Sequence, residues 1–338
     1  MNVNDLSTPA VVIDLDALQK NIATMAEFHP GRRLRPHIKA HKCTGIAELQ
    51  VAAGHTSFTC ATPREILGMI HAGVGNDFLL ANEVVDTDRL RQLADAQDDA
   101  HITIAIDSEF TLDAAASAGI KNVLIDVNVG LPRCGCQPQH AGRLADAARK
   151  KGLIVHGVMG YEGHLMMVKD RDAKKKQVRD AMALLAAAHA DVGGDIVSAG
   201  GTGTFDMFAG TTVNEVQAGS YVLMDSQYAE LGHPFVQAMW VIGSVVSSND
   251  KWSVVDVGLK SLGMDHGNPS VAHHSVMFCS DEHLTIVADE GTPPLHVGDR
   301  VFVTPAHIDP TMAMHERAYV ANIYGDIVTE WSIDLRGW

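Results

Sequence analysis

The feature that most constrains this fold is a regular alternation of short β-rich runs and longer helical patterns, which extends from residue 13 to about residue 225. Strands that alternate with helices predict βα units in a parallel sheet. Eight such units predict a parallel (β/α)8 barrel of the TIM type, and a doubly wound sheet is the alternative that periodicity leaves open. The predicted strands are Leu34–Lys39, Thr56–Cys60, Asp77–Leu80, Ile102–Ile106, Val123–Val127, Ile154–Met159, Asp195–Val197 and Glu215–Tyr221.

The pattern changes near residue 230, where short strand-like segments follow one another without long helices. Such a succession, interrupted by polar turns, predicts an antiparallel β-domain. We therefore expect a barrel formed by residues 13–230 and a β-domain formed by residues 231–338. The strands predicted in the β-domain are Met239–Val246, Trp252–Val257, Ser275–Cys279, Leu284–Ala288, Arg300–Thr304, Arg317–Ile323 and Asp326–Ile333.

Composition narrows the class of protein. The 338 residues are enough for one large domain and a smaller one. A net charge of −15 disfavours binding to nucleic acid and to anionic membranes. The five cysteines form no CxxC pair, which is typical of free thiols in a reducing cytosol. No apolar run approaches the roughly 20 residues of a membrane span, and the N-terminus has no signal-peptide pattern. We expect a cytoplasmic protein without a membrane partner.

Lys39 lies in the segment Arg35–Lys42, whose sequence is RPHIKAHK. Neighbouring positive charge and partial burial both disfavour an ammonium group, so we expect Lys39 to have a lowered pKa and to attack an aldehyde as a free amine. Lys42 is the rival nucleophile. Because charge runs are usually solvated, a basic surface patch is the alternative interpretation.

Five motifs follow predicted barrel strands at their carboxyl ends, which is the face where barrel enzymes place their sites. One of them, Ser198–Thr204 with the sequence SAGGTGT, follows an apolar run as a phosphate-binding loop follows a strand. Its spacing matches neither the dinucleotide fingerprint nor the P-loop, so it is also compatible with a plain turn. The other four motifs contain Lys39, Arg133, Tyr161 with His164, and Gly219–Tyr221.

His307 and Asp309 lie two residues apart in a segment bounded by Pro305 and Pro310. If this segment is extended, as we predict, both side chains lie on one face. An imidazole and a carboxylate suit a divalent cation that keeps open water positions. The H-x-D spacing is common, however, and does not establish a metal site by itself.

Taken together, these motifs resemble one family, the D-threonine aldolase and D-serine dehydratase-like family of pyridoxal-phosphate enzymes, which is related to the alanine racemase fold. The resemblance extends from Thr8 to the C-terminus. It implies the barrel and β-domain predicted above, and it adds residues 1–12 to the β-domain. The motifs that carry it are RPHIKAHK, Arg133–Gly135, Gly160–His164, SAGGTGT, Glu215–Asp225 and His307–Thr311.

The resemblance assigns roles to single residues. It implies that Lys39 is the Schiff-base lysine, that Arg133 hydrogen-bonds the pyridoxal 3-oxygen, and that Tyr161 lies near the ring nitrogen. His37 is either a cofactor contact or a structural support of the pocket. The residues implied at the phosphate are Gly201, Thr202, Gly203, Gly219, Ser220 and Tyr221.

In the family, the positions of His307 and Asp309 bind a divalent metal. Dehydratase members typically have cysteine at the second position and favour zinc, whereas Asp309 is a hard oxygen ligand, so manganese, magnesium or cobalt is expected here. Some aldolases of the family carry a histidine where this chain has Met167. His164 is the available substitute as the base, with an ordering role in the loop as the alternative, and His266 is a further candidate for lining the pocket.

The function implied by the resemblance is a D-3-hydroxy amino acid aldolase of the D-threonine aldolase type, dependent on pyridoxal 5'-phosphate and a divalent metal. It cleaves the Cα–Cβ bond to give glycine and an aldehyde. The alternatives are a dehydratase of D-serine or 3-hydroxyaspartate, an amino acid racemase, and a non-catalytic pyridoxal-phosphate-binding protein. The expected partners are the small substrate and a second copy of the chain in a homodimer.

Overall fold

The computed structural model describes all residues, Met1–Trp338, and the chain divides into two compact units. The barrel unit contains Met25–Lys39, Ala47–Gly219 and Gly337–Trp338. The second unit contains Met1–Thr24, Ala40–Ile46 and Ser220–Arg336. Chain segments that are distant in sequence therefore build each unit.

Sixteen strands and nine α-helices follow one another along the chain. The strands are β1 (Ala10–Asp14), β2 (Ser57–Cys60), β3 (Asp77–Leu80), β4 (His101–Ile106), β5 (Asn122–Asp126), β6 (Ile154–Gly160), β7 (Ile196–Ala199), β8 (Glu215–Val216), β9 (Met239–Ser248), β10 (Ser253–Val255), β11 (Ser270–Val271), β12 (His274–Cys279), β13 (Leu284–Ala288), β14 (Arg300–Thr304), β15 (Arg317–Ala321) and β16 (Ile327–Ser332). The α-helices are α1 (Leu15–Phe28), α2 (Thr44–Ala52), α3 (Pro63–Ala72), α4 (Thr87–Asp95), α5 (Glu109–Ala118), α6 (Ala141–Lys150), α7 (Arg171–Val192), α8 (Ser226–Ala229) and α9 (Ile308–Met314).

In the barrel unit, strands β2 to β8 pair in parallel in the order of the chain. The segment Leu34–His37, called here the closing segment, closes this sheet through isolated parallel bridges to Val216 and Thr59. The Arg35 N–H donates to the carbonyl of Val216 at 2.9 Å, and the Thr59 N–H donates to the carbonyl of Pro36 at 2.9 Å. The barrel predicted from the sequence is confirmed as a seven-stranded parallel sheet of TIM type. The closing segment supplies the eighth position.

Two predicted barrel strands are wrong in extent. Leu34–Lys39 forms only isolated bridges, because Pro36 has no N–H for a ladder and the chain enters a 3-10 helix at Ile38–Ala40. Glu215–Tyr221 pairs as a strand only at its first two residues, and Ser220–Val222 is a 3-10 helix. In both places the backbone leaves the sheet for a 3-10 helix, Ile38–Ala40 in one case and Ser220–Val222 in the other.

Local sequence signals define the barrel helices, and α3 illustrates them. Thr62 caps the helix by accepting the Glu65 N–H, while the Glu65 carboxylate accepts the Thr62 N–H, and Pro63 occupies the first turn. Gly73 ends the helix in the left-handed conformation, with φ of 69°. A cap of this kind is worth about 1 kcal/mol. The remaining stability of α3 comes from its buried residues.

The barrel strands are buried on both faces, as expected for a parallel sheet covered by helices. Leu79, Ala105, Leu124 and Met159, from four successive strands, form one buried cluster. Layers of this kind fill barrel interiors, so the strands are rigid supports for the residues at their ends.

The second unit contains a nine-stranded sheet in the order β10-β13-β12-β11-β14-β9-β1-β15-β16. An additional antiparallel pairing of β10 with β9 closes six of these strands into a barrel. Strand β1 lies between β9 and β15, and its pairing with β15 is parallel, an exception to the antiparallel prediction. No helix of the structure is both long and apolar enough to span a bilayer.

Candidate active site

Lys39 lies at the carboxyl edge of the barrel, in the 3-10 helix Ile38–Ala40 that follows the closing segment. It is half-buried, and its backbone N–H donates to Nδ1 of His37 at 3.4 Å. The rival Lys42 belongs to the second unit, where its φ of 50° is in the left-handed region. The structure thus places the two lysines in different local environments.

Arg35 does not belong to a cationic cluster around Lys39, contrary to the expectation from the sequence. Its guanidinium is buried and forms ion pairs with Asp77 at 2.9 Å and Glu215 at 2.8 Å, at the amino ends of β3 and β8. Burial lowers the pKa of Arg35, but the two carboxylates outweigh it and raise the pKa overall. Arg35 therefore links β3 and β8 at the opposite end of the barrel.

The buried side chain of Glu162 is hydrogen-bonded to the glycine-rich loop after β7. Its carboxylate accepts the Thr204 hydroxyl at 2.6 Å and the Gly200 N–H at 3.2 Å, and Thr204 Oγ1 accepts the Gly201 N–H at 3.3 Å. Burial raises the pKa of Glu162, and these hydrogen bonds oppose the rise. Glu162 lies within the motif Gly160–His164, and the sequence alone predicts no role for it.

A buried lysine holds the same loop from its other side. Nζ of Lys174, in α7, donates to the carbonyl of Met166 at 2.9 Å and to the carbonyl of Gly203 at 3.2 Å. Burial lowers the pKa of Lys174. Nothing in the sequence distinguished Lys174 from its solvent-exposed neighbours Lys175 and Lys176, so its role was missed.

This loop, together with the segment after β8, fits a phosphate group. Gly203 and Gly219 are buried, yet neither backbone N–H donates to an acceptor within the chain. A Cβ at Gly203 would lie 2.5 Å from the Met166 carbonyl oxygen, and one at Gly201 would lie 3.0 Å from Met166 Sδ. Glycine is therefore required at Gly203, where the added atom would meet backbone. Backbone N–H groups of glycine-rich loops bind anions.

The other predicted phosphate residues divide between the units. Thr202 is buried in the barrel unit, whereas Ser220 and Tyr221 belong to the second unit. The ring of Tyr221 is fully buried, with its centroid 5.5 Å from that of Phe235. Ser220 has its hydroxyl 3.5 Å from Asp309 Oδ1. The hydroxyl of Ser220 thus contacts a predicted metal ligand.

Arg133 and Tyr161, two of the predicted cofactor contacts, lie together. The Arg133 guanidinium carbon is 5.4 Å from the centroid of the Tyr161 ring, within the range of a cation–π interaction. A Cβ at Gly201 would lie 3.4 Å from Tyr161 Cε2, so the ring also borders the glycine loop. Arg133, Tyr161 and Asp126 line one small cavity. Burial, together with the neighbouring Glu83, raises the pKa of Asp126.

His164 lies in the 3-10 helix Gly163–Leu165, after β6, and its side chain is exposed. Its ring packs on Gly130, where a Cβ would lie 2.9 Å from His164 Cε1. Gly130 has φ of 127°, which favours glycine. Met167, the position that holds histidine in some aldolases, is half-buried.

His307 and Asp309 lie in the second unit, 3.7 Å apart between Nε2 and Oδ1. The predicted extended segment is wrong: His307 is the N-cap residue of α9, and Asp309 and Pro310 lie in the first helical turn. Proline is tolerated there because the first N–H groups of a helix have no partner within it. The imidazole and the carboxylate nevertheless form a donor set that fits a hard divalent cation.

Three further polar side chains surround this pair. Asp265 accepts a hydrogen bond from His307 Nδ1 at 2.7 Å, and the ring of His266 stacks on that of His307 with 4.0 Å between centroids. Asp225 is buried and accepts the Ile308 N–H at 3.3 Å, and burial raises its pKa to about 6. Asp265 was missed in the sequence because it lies far from His307 along the chain.

Residues 13–227 match the family described as "Alanine racemase, N-terminal domain", and residues 238–321 match the family described as "Putative serine dehydratase domain". The 3-hydroxy-D-aspartate aldolase of Paracoccus denitrificans (strain Pd 1222) is 30% identical over 100% of this chain and 94% of its own. The D-threonine aldolase of Arthrobacter sp is 31% identical over 98% and 93%. The crystal structure of D-threonine aldolase from Filomicrobium marinum has a TM-score of 0.91 at 34% identity, covering 99% of this chain and 96% of that one.

Proposed function

Since the chain belongs to the D-threonine aldolase and D-serine dehydratase-like family of the alanine racemase fold, we propose that it is a pyridoxal-phosphate- and divalent-metal-dependent aldolase. Its substrates are D-3-hydroxy amino acids, whose Cα–Cβ bond it cleaves to glycine and an aldehyde. The observation that carries the proposal is the His307–Asp309 pair, with a carboxylate oxygen 3.7 Å from an imidazole nitrogen. This is the oxygen-containing donor set expected of the aldolase members.

The barrel unit binds the cofactor in this proposal. The amine of Lys39 attaches it covalently, Arg133 and Tyr161 contact its ring, and His37 supports Lys39. When bound, pyridoxal phosphate supplies an electron-withdrawing ring that accepts the charge left at Cα. In the barrel unit, the residues that would hold its phosphate are Gly201, Thr202, Gly203 and Gly219. Ser220 and Tyr221, which belong to the second unit, remain predicted phosphate residues. The unused N–H groups of Gly203 and Gly219 support this assignment.

The second unit binds the metal through His307 and Asp309. A bound divalent cation supplies a Lewis acid that lowers the pKa of a coordinated hydroxyl. Asp309 offers a hard oxygen, which favours manganese, magnesium or cobalt over zinc. The hydroxyl of Ser220, 3.5 Å from Asp309 Oδ1, helps to orient the carboxylate.

His164 removes the proton from the β-hydroxyl of the substrate. The electron pair of that O–H bond then forms the carbonyl of the aldehyde as the Cα–Cβ bond breaks, and Cα receives a proton to give glycine. The exposed imidazole beside Gly130 can accept a proton from substrate and return it to solvent.

We further propose that the enzyme is cytoplasmic and that it forms a homodimer. Light scattering after size exclusion measures the molar mass and so tests the homodimer.

A product assay tests the proposed reaction. Purified protein supplied with pyridoxal phosphate and Mn²⁺ is incubated separately with D-threonine, D-serine and 3-hydroxy-D-aspartate. Glycine and an aldehyde are the expected products from D-threonine or 3-hydroxy-D-aspartate. Ammonia and a keto acid would instead identify a dehydratase, and inversion at Cα without cleavage would identify a racemase.

A further inference from the structure

His307 is contacted on both of its ring nitrogens. Nδ1 lies 2.7 Å from Oδ2 of Asp265, within hydrogen-bond distance, and Nε2 lies 3.7 Å from Oδ1 of Asp309. A carboxylate only accepts, so the short contact with Asp265 requires the proton on Nδ1. A neutral imidazole with its proton on Nδ1 has its lone pair on Nε2, on the side of Asp309.

We propose that Asp265 is a positioning residue for the metal: its carboxylate holds the His307 proton on Nδ1 and thereby makes Nε2 the nitrogen that binds a divalent cation. This inference rests on the proposed function in one respect, the metal at His307 and Asp309. A carboxylate that accepts the second N–H of a ligating histidine orients the ring and raises its basicity, and losing such a partner typically costs about 10- to 100-fold in metal affinity.

The backbone near Asp265 is hydrogen-bonded to the segment that carries His307. Gly263 forms an antiparallel bridge with His307, and its N–H donates to Thr311 Oγ1 at 2.8 Å. The Thr311 hydroxyl in turn donates to the His307 carbonyl at 2.8 Å. A Cβ at Gly263 would lie 2.3 Å from Cγ of Pro310. The loop that carries Asp265 is therefore tied to the backbone of His307 and to the first turn of α9.

The second ligand is held independently. Asp225 accepts the Ile308 N–H at 3.3 Å and the Tyr228 N–H at 2.9 Å, which connects the start of α9 to α8. This contact holds the turn that carries Asp309. Asp265 thus orients the imidazole, and Asp225 supports the backbone beneath the carboxylate.

His266 has a different role from Asp265. Its ring lies parallel to that of His307, at 4.0 Å and 5°, so it contacts the face of the imidazole and limits rotation of the ring. We assign it to packing and not to the metal. A flat side chain without nitrogen therefore suffices at this position.

Stability of the fold does not explain the Asp265–His307 contact. The Asp265 side chain is 54% exposed, and exposed ion pairs contribute between about 0 and 1 kcal/mol. Asp265→Ala is therefore expected to fold. The consequence of the substitution should appear in metal affinity.

The test is a Mn²⁺ titration of the full-length, cofactor-loaded protein, with free Mn²⁺ measured by electron paramagnetic resonance. We expect Asp265→Ala to bind Mn²⁺ about 10- to 100-fold more weakly than the wild type, and Asp265→Glu to recover part of the loss. His266→Phe should bind within about threefold of the wild type. The thermal midpoint of the metal-free protein and its pyridoxal content, which depend on other contacts, should be unchanged in all three variants.

The outcomes separate this inference from the proposed function. Unchanged Mn²⁺ affinity in Asp265→Ala, with His307→Ala strongly impaired, would overturn the role of Asp265 and leave the metal site in place. Equal, weak binding by the wild type and His307→Ala would overturn both. A tenfold loss in His266→Phe would make His266 a ligand and contradict the division of roles proposed above.

Discussion

Lys174 is bound to the glycine loop through Gly203, whose carbonyl oxygen lies 3.2 Å from the lysine Nζ. The same ammonium group binds the carbonyl of Met166, and Glu162 binds the other half of the loop through Gly200 and Thr204. Two buried charged side chains therefore set the loop conformation before any ligand arrives. Preorganised N–H groups bind an anion with less ordering cost than mobile ones.

Lys174→Met should weaken binding of pyridoxal phosphate, because two buried carbonyl groups lose their donor and the loop relaxes. Hydrogen bonds to charged groups are worth about 1.5–3 kcal/mol, so the free energy of unfolding should fall by at least that order. Cofactor affinity is measured by equilibrium dialysis, and stability by urea denaturation. Lys175→Met, on the exposed side of the same helix, is the matched control and should leave both unchanged.

Lys39 should be the residue that carries the cofactor. Borohydride reduction of the purified protein, followed by peptide mapping, is expected to find pyridoxyl on Lys39, and Lys39→Ala should lose both label and turnover. Lys42→Ala, at a position of the second unit with positive φ, should keep the label. A label on Lys42 would reassign the nucleophile.

His164→Ala should slow cleavage of D-threonine by about 10²- to 10⁴-fold, the usual cost of removing a general base. Pyridoxal content and Mn²⁺ binding should be retained, because the His164 ring packs on Gly130 and holds neither group. His296→Ala, at a histidine side chain that is 82% exposed, is the control. Cleavage at the wild-type rate in His164→Ala would assign the proton transfer to another base.

Removal of the metal should abolish cleavage without releasing the cofactor. Treatment with a chelator is expected to abolish cleavage while the visible absorbance of the bound cofactor persists, since Lys39 attaches the cofactor and His307 and Asp309 bind the metal. Mn²⁺ or Mg²⁺ should restore turnover. Full activity in metal-free protein would remove both ligands from the reaction and favour a racemase.

Stability should fall as the pH drops below about 6.5, because two buried histidines resist protonation. His29 Nε2 lies 2.7 Å from the Phe205 carbonyl, His55 Nδ1 lies 3.0 Å from that of Gly31, and the second nitrogen of each ring is buried without a partner. Burial lowers the pKa of both residues below the ordinary histidine value of 6.5. The folded state thus binds fewer protons than the unfolded state in this range, and the stability present above about pH 6.5 is lost on acidification.

Urea denaturation of the apoprotein at a series of pH values measures this slope. His55→Gln, which removes a titrating group, should show a shallower loss between about pH 7 and 5. His296→Gln, at an exposed side chain, should keep the wild-type slope. An unchanged slope in His55→Gln would mean that this histidine contributes nothing to the acid sensitivity.

The sequence was sufficient to predict the order and type of most elements. The alternation of strands and helices up to residue 225 and its replacement by short strands beyond residue 230 follow from hydrophobic periods of about 3.6 and 2 residues, which are local properties of the chain. The capping box of Thr62 and Glu65 and the terminal Gly73 are local as well. The motifs around Lys39 and His307 could be identified for the same reason, since each is contiguous.

The tertiary structure decided which distant groups meet. Arg35 pairs with Glu215, 180 residues later, Lys174 with Gly203, and Asp265 with His307, 42 residues later. No local period predicts such pairs, because burial selects a partner for a charged group only once the strands and loops have come together. For the same reason, the sequence alone predicts an extended segment at Asp309, whereas the structure has Asp309 in the first turn of α9. There Asp225 accepts the neighbouring Ile308 N–H, and Ser220 contacts Asp309.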